Sequence, residues 1–347
     1  MFERLRRSGR IVAALVLVAS LAACSKGSPA AEQSLQSATE GTLTWYTDDD
    51  AQEVDPVVRA FTEKTGIEVT LLATEFVAQR LMSESASNVA TADVISFAGA
   101  PSVLELEDAG YLAKLPASVS EALPRQDPVF VSKSGNWFSN QASSWGVFYN
   151  TDLVDPAFRP TDFTSFLNPY WRGKFSVPIS TNDSSIEGYY QIAQEPSLGK
   201  EFLTALGDND PVISGSSGQG VSDVIVGNQI GGITNDNAVW QQIAKGAPLA
   251  FAYPPGGTTF SQKYNALVAN AAHPKAAEEF LEFLVTKDAA TLLSASTGKL
   301  STFPGIPSTP PGRPTISDGK FFPLPDPQAL VDAQPTMAPF LKEALNE

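Results

Sequence analysis

Three consecutive carboxylates, Asp48, Asp49 and Asp50, offer a dense set of hydrogen-bond acceptors. Such a triplet suits an amine or a hydroxyl-rich solute, and equally a solvated loop that caps a helix. A hard divalent cation fits less well, because no second set of oxygen ligands is evident. Further along, Thr181-Asn182-Asp183-Ser184-Ser185 precedes a helical stretch, with Ser184 and Glu187 spaced as a capping box. A helix start of this kind presents backbone N–H groups to an anion. Ser214 to Gly220 is a second loop of small residues before a helix, open to close approach by a ligand or simply a turn. Nucleophilic chemistry lacks parts. His273 is the only histidine and stands before Pro274 at a helix start, and Cys24 is the only cysteine. Neither GxSxG nor GxxxxGK[ST] occurs, which leaves acyl transfer and nucleotide hydrolysis without their machinery. Paired carboxylates exist in any acidic chain, so a secreted glycosidase stays open as an alternative, although no enzyme is expected.

The N-terminus carries an address. Arg4, Arg6, Arg7 and Arg10 precede the apolar run Ile11 to Ala19, and Leu21-Ala22-Ala23-Cys24 follows. This is a signal segment over 1–23, too short to span a bilayer comfortably, with a bacterial lipoprotein cleavage pattern before Cys24. Cys24 is then the expected lipidation site, and the Ser-, Ala- and Gly-rich stretch 24–40 a flexible tether. Removing residues 1–23 leaves 19 basic and 37 acidic groups, net −18. Nucleic acid and anionic lipid head groups are therefore poor partners, and membrane association is expected through the lipid alone. With one cysteine no internal disulfide forms, and the remaining length suffices for two cores.

The elements that must position these groups alternate. Leu43 to Tyr46 reads as a buried strand. Val54, Val57, Val58 and Phe61 mark one helical stripe ending at Gly66, and Ile67 to Ala73 is a second strand. A helix from Phe76 to about Ser87 leads to a third strand, Ala92 to Phe97. This predicts an α/β fold with a parallel sheet, whose ligands bind beyond the carboxyl ends of the strands. Thr47, Asp48, Asp49, Asp50, Ser96, Phe97 and Gly99 then border a cleft. Gly146 to Tyr149 reads as a strand, and a second α/β region runs to about Tyr253. Tyr264 to Asn270 begins another strand, and an amphipathic helix follows His273-Pro274. Ser301 to Pro327 reads as extended chain, and Met337 to Asn346 as a short closing helix.

In this order, Leu43-Thr44-Trp45-Tyr46-Thr47, Ala60 to Val69, Ala92-Asp93-Val94, Leu106 to Leu112, Tyr149-Asn150-Thr151, Asn168 to Lys174 and His273 to Phe280 resemble periplasmic binding proteins of the ferric-iron-binding type. The resemblance covers nearly all of 41–300. It implies a type II-like fold of two lobes, 41–141 plus 258–299 and 142–257 plus 300–347, joined by two hinge strands with the ligand cleft between them. It implies the solute-binding component of an ABC importer, monomeric, working with permease subunits and needing no cofactor. A ligand sensor subunit would share these features. In the family, ferric iron is held by a His, a Glu and two consecutive Tyr. Those positions fall here on or near Asp50, near Ala98, and on Asp236 and Asn237. Both phenolates are absent, so no metal is expected, with a ferric-iron or iron-chelate protein as the alternative. Tyr189-Tyr190 lies in a helical segment and does not replace the pair. The implied ligand groups are Thr47 to Asp50 on one lobe, and Asn235, Asp236 and Asn237 on the other, with Asp236 and the 47–50 loop gripping opposite sides of one solute. The family's anion-binding region falls on Thr181, Asp183, Ser184 and Ser185. Aromatic walls could come from Trp45, Phe97, Trp145 or Tyr253. The implied solute is small and polar, amine-bearing, zwitterionic or hydroxyl-rich, and one held at both ends is zwitterionic. Asp236 also suits a surface turn.

Overall fold

Alternation of apolar side chains along β1 (Thr42–Thr47) sends Leu43 and Trp45 into one core and Tyr46 into another. The strand is therefore covered on both faces, as a parallel sheet requires. The computed structural model describes residues 41–347 apart from 88, 90 and 91. The expected signal segment, Cys24 and the tether lie outside the described residues. After β1 comes α1 (Ala51–Thr65), which buries Val54, Val57 and Phe61 along one stripe. It stops at Gly66, whose φ of 75° is the left-handed conformation that glycine adopts without a Cβ clash. There follow β2 (Glu68–Ala73), α2 (Val77–Ala86), β3 (Val94–Ala98), α3 (Ala100–Asp108) and α4 (Ala117–Ala122). Next come β4 (Trp137–Asn150), β5 (Phe175–Pro178), α5 (Asp183–Gln194), α6 (Gly199–Gly207), β6 (Val212–Ser214), α7 (Ser217–Ile225), β7 (Gly231–Asn235), α8 (Asp236–Ala244) and β8 (Leu249–Ala252). The chain ends with β9 (Phe260–Leu267), α9 (Pro274–Leu284), α10 (Lys287–Thr297), β10 (Leu300–Ser301) and α11 (Pro327–Ala344).

The strands order as β2-β1-β3-β9-β4-β7-β5-β6. Pairing is parallel within β1–β3 and within β5–β7, as the alternation predicts. The sheet as a whole is mixed, because β9 runs antiparallel to both β3 and β4, and β4 antiparallel to β7. Those exceptions arise where the chain passes between lobes. The first part of β4 pairs with β9 through Ser144, and the rest pairs with β7 and β8 from Trp145 onward. One strand thus belongs to two sheets, and β9 is the return crossing.

Each lobe has helices on both faces of its sheet. In the first, Val54, Phe61, Phe280 and Leu293 fill one face, and Leu81, Val103 and Leu106 fill the other. In the second, Trp171, Phe175, Phe202 and Leu341 oppose a smaller cluster around Phe148, Val224 and Val239. The tail departs from the expected partition. Phe303 and Ile306 pack into the first lobe, and α11 sets Leu330 against the first lobe while Met337 and Leu341 enter the second. This helix is 18 residues long and begins ten residues before the short closing helix expected from Met337. Pro335 and Pro339 lie inside it, each without the N–H that a helix interior uses. Among the described residues no helix is long and apolar enough to cross a membrane.

Candidate functional site

The carboxyl ends of β1 and β3 face the starts of α5, α7 and α8 across a cleft of about 600 Å³. The β1–α1 loop supplies Asp48, Asp49 and Asp50 to its wall, joined by Glu53, Glu75, Phe76, Phe97 and Lys299. The facing wall carries Thr181, Asn182, Asp183, Ser184, Gly215 to Gly218, Asn235, Asn237 and Gln241. Of the residues expected at a ligand, the structure brings Asp48, Asp49, Asp50, Phe97, Thr181, Asp183, Ser184, Asn235 and Asn237 to this cleft.

The acidic triplet is not a free set of acceptors. Lys263 stands in register with Ala98 on β9, at the same end of the sheet, and its ammonium bonds Asp48, Asp49 and the Thr47 hydroxyl. Lys299 bonds Asp49 from the other side. Burial alone would raise the Asp49 pKa, but these two ammoniums hold it well below the usual carboxylate range. Burial works against charge on Lys299 too, yet Asp49 and Asp48 raise its pKa. Asp48 also accepts the Ala98 N–H at 2.7 Å. Two lysines therefore balance two aspartates, and only Asp50 of the triplet is exposed. Thr47 and Ser96 are fully buried beneath the loop, Ser96 accepting the Trp45 indole N–H at 2.9 Å.

Asp236 is a correction. It is 0 % exposed and does not face the cleft, because its carboxylate is paired with the equally buried Arg313 at 2.5 Å. It also accepts the Tyr253 hydroxyl at 2.8 Å and the Ser144 N–H and hydroxyl at 3.2 Å each. Tyr253 is likewise withdrawn, donating to Asp236 and accepting from Arg313. Its phenol is pushed up, by burial first and the Asp236 charge second. Asn237 remains at the wall. Tyr189 is a core residue, edge-on to Trp145 at 4.9 Å, and Trp45 and Trp145 are buried as well.

The helix starts also differ in detail. Asn182, not Ser184, caps α5, accepting the Ser185 N–H at 2.8 Å. Ser185 is thereby spent on the cap and buried. Glu187 closes no capping box. Its side chain turns inward, with Oε2 buried and without a hydrogen-bond partner among the described residues, and burial, with the Asp183 charge adding, pushes it up to about 8. Ser216 caps α7, accepting the Gln219 N–H at 3.2 Å. Gly99 does not line the cavity but abuts Asp183.

Sequence reasoning missed Glu53, Glu75, Gln241, Lys263 and Lys299. Gln241 joins the lobes by donating to Glu53 at 2.7 Å and to the Thr297 carbonyl at 2.8 Å. Burial raises the Glu53 pKa, against the Gln241 bond and the Lys299 charge. No lysine or arginine pairs with Asp50, Glu53 or Glu75 among the described residues. The first lobe's wall is therefore acidic beyond what its lysines balance. The second lobe's wall presents the positive ends of α5 and α7. Among the described residues no group of three or more His, Cys, Asp or Glu side chains is placed to hold a metal ion, and no tyrosine lines the cleft.

Residues 57–322 match the family model described as "Bacterial extracellular solute-binding protein". The Iron uptake protein A2 of Synechocystis sp. is 24 % identical over 295 residues, which cover 79 % of this chain and 82 % of that protein. Iron-bound HitA from Pseudomonas aeruginosa superposes with a TM-score of 0.72 at 20 % identity, over 87 % of this chain and 99 % of that one. AfuA from Actinobacillus pleuropneumoniae, with exogenous fructose-6-phosphate bound, gives the same TM-score of 0.72 at 15 % identity, over 88 % and 98 %. These two structures share the two-lobe fold of periplasmic binding proteins. The chain belongs to the bacterial extracellular solute-binding proteins of ABC import systems.

Proposed function

We propose that the cleft binds a small polar solute bearing an amine, with a hydroxyl-rich or acidic opposite end. One observation carries this reading: Asp50, Glu53 and Glu75, without a cationic partner among the described residues, face the N-terminal ends of two helices across about 600 Å³. A cationic end is favoured at the first wall by Coulomb attraction, and an acceptor end at the second by free N–H groups. Contacts to both walls exist only with the lobes together, so such a solute closes the hinge. On this reading the protein works on the extracytoplasmic side as a monomer held by a lipid on Cys24, with lobes near 41–141 plus 258–299 and 142–257, and a tail over 300–347 that packs on both.

A second reading is iron carried as a chelate, favoured by the names of the relatives. Bare ferric iron is disfavoured by a cleft wall that carries no phenol among the described residues. Native mass spectrometry of the purified protein, followed by thermal melts with candidate solutes, tests both. A zwitterionic probe such as 2-aminoethylphosphonate, or a diamine, should raise the melting temperature. At a hundred times the Kd the gain is about 2.7 kcal/mol. A response to ferric citrate or fructose 6-phosphate alone refutes the amine.

A further inference from the structure

Asp183 is the first residue of α5, in the second lobe, and its carboxylate reaches the first. It accepts the Ser102 backbone N–H at 3.2 Å and the Ser102 hydroxyl at 2.5 Å. Ser102 lies in the first turn of α3, where N–H groups have no partner inside the helix and the dipole favours negative charge. The approach is close enough to dictate the neighbouring residue. Gly99, which precedes α3, has φ of 127°, and a Cβ there would lie 2.8 Å from the Asp183 Cβ. Only glycine supplies both the backbone angle and the room. The lobes thus meet at a charge-assisted contact made entirely by the protein.

We propose that Asp183 is a latch that also determines specificity. Its carboxylate occupies the place at the start of α3 that the anionic end of a solute would otherwise take. The lobes then close partly on an anion of the chain itself, and an acidic group on the solute is kept from the start of α3. The selectivity half rests on the amine-bearing reading given above, whereas the closure half does not.

Small-angle X-ray scattering of the full chain without added solute tests closure. Asp183→Ala should show a larger radius of gyration and maximum dimension than wild type. Ser102→Ala, which keeps the backbone donor, should fall between them. Circular dichroism of the same samples reports folding, and if Asp183→Ala fails to fold, Ser102→Ala decides, because it leaves α5 intact. Scattering identical to wild type in the folded variants overturns the latch. Selectivity is read with inorganic phosphate as the probe. Asp183→Ala should bind it about tenfold more tightly than wild type, the size expected for one charge-assisted bond. Equal phosphate binding in both proteins overturns the selectivity. Unchanged scattering with a wild-type response to diamines removes the latch and keeps the proposed solute class. Changed scattering with no response to cationic or zwitterionic probes does the reverse.

Discussion

Replacing Asp236 with alanine should unfold this protein more readily, and the structure sets the size of the effect. The carboxylate is 0 % exposed and faces the guanidinium of Arg313, also 0 % exposed, at 2.5 Å. After the substitution Arg313 keeps its bonds to the Gly298 and Thr309 carbonyls but loses its counter-charge. Removing one partner of a buried pair costs about 3–5 kcal/mol, since the other charge stays desolvated. The Tyr253 and Ser144 hydroxyls lose an acceptor as well, placing the total toward the upper end. With an unfolding entropy of about 2.1 cal/mol/K per residue over roughly 300 residues, the melting temperature falls by about 5–8 °C. Calorimetry on Asp236→Ala, Arg313→Met and the double variant Asp236→Leu/Arg313→Met checks this. The double variant should recover most of the loss, because an apolar pair of similar volume replaces a buried ion pair at little cost. A single variant melting within about 1 °C of wild type would refute the reasoning.

The pH dependence of stability should carry the signature of Glu187. Burial raises its pKa from the usual 4.5 to about 8 on folding. Between those values the folded state holds the extra proton, so stability falls as pH rises, by about 5 kcal/mol in all. Glu187→Gln should flatten melting temperature between pH 5 and pH 8, and an unchanged slope in the variant counts against the buried acid. Addition of ferric iron without chelator should give no tyrosinate charge-transfer band, because no tyrosine among the described residues lines the cleft. A strong stoichiometric band would overturn that expectation. Cys24→Ser should release the protein from membranes in detergent-free fractionation, and retention there would end the lipoprotein reading.

Local patterns made the alternating elements legible, since β1, α1, β2 and α2 declare themselves within a few residues. The strand ends at Thr47 to Asp50 and Ser96 to Gly99 were placed by the same logic. What escaped was pairing over distance. Lys263 and Lys299 lie 215 and 250 residues from the aspartates they neutralise, and nothing around either lysine announces the partner. Arg313 sits in a Pro- and Gly-rich tail that reads as surface chain, yet it decides that Asp236 turns inward. At α5 the local rule misled, because Asn182 and Ser184 both offer capping oxygens. Tertiary burial of Glu187 resolved the choice in favour of Asn182.

The late return of β9 to the first lobe's sheet has a consequence for synthesis. The first lobe's sheet is incomplete until β9 pairs with β3, a contact seen in the Ser96–Asn265 bond across 169 residues. At about 5–20 residues per second, some 8–30 s separate the emergence of the two strands from the ribosome. Throughout that interval the β3 edge offers unpaired backbone groups to any passing strand. Non-local closure of this kind also slows folding itself. Until β9 arrives, the chain is therefore open to edge-to-edge association with its neighbours, a hazard that the finished fold no longer shows.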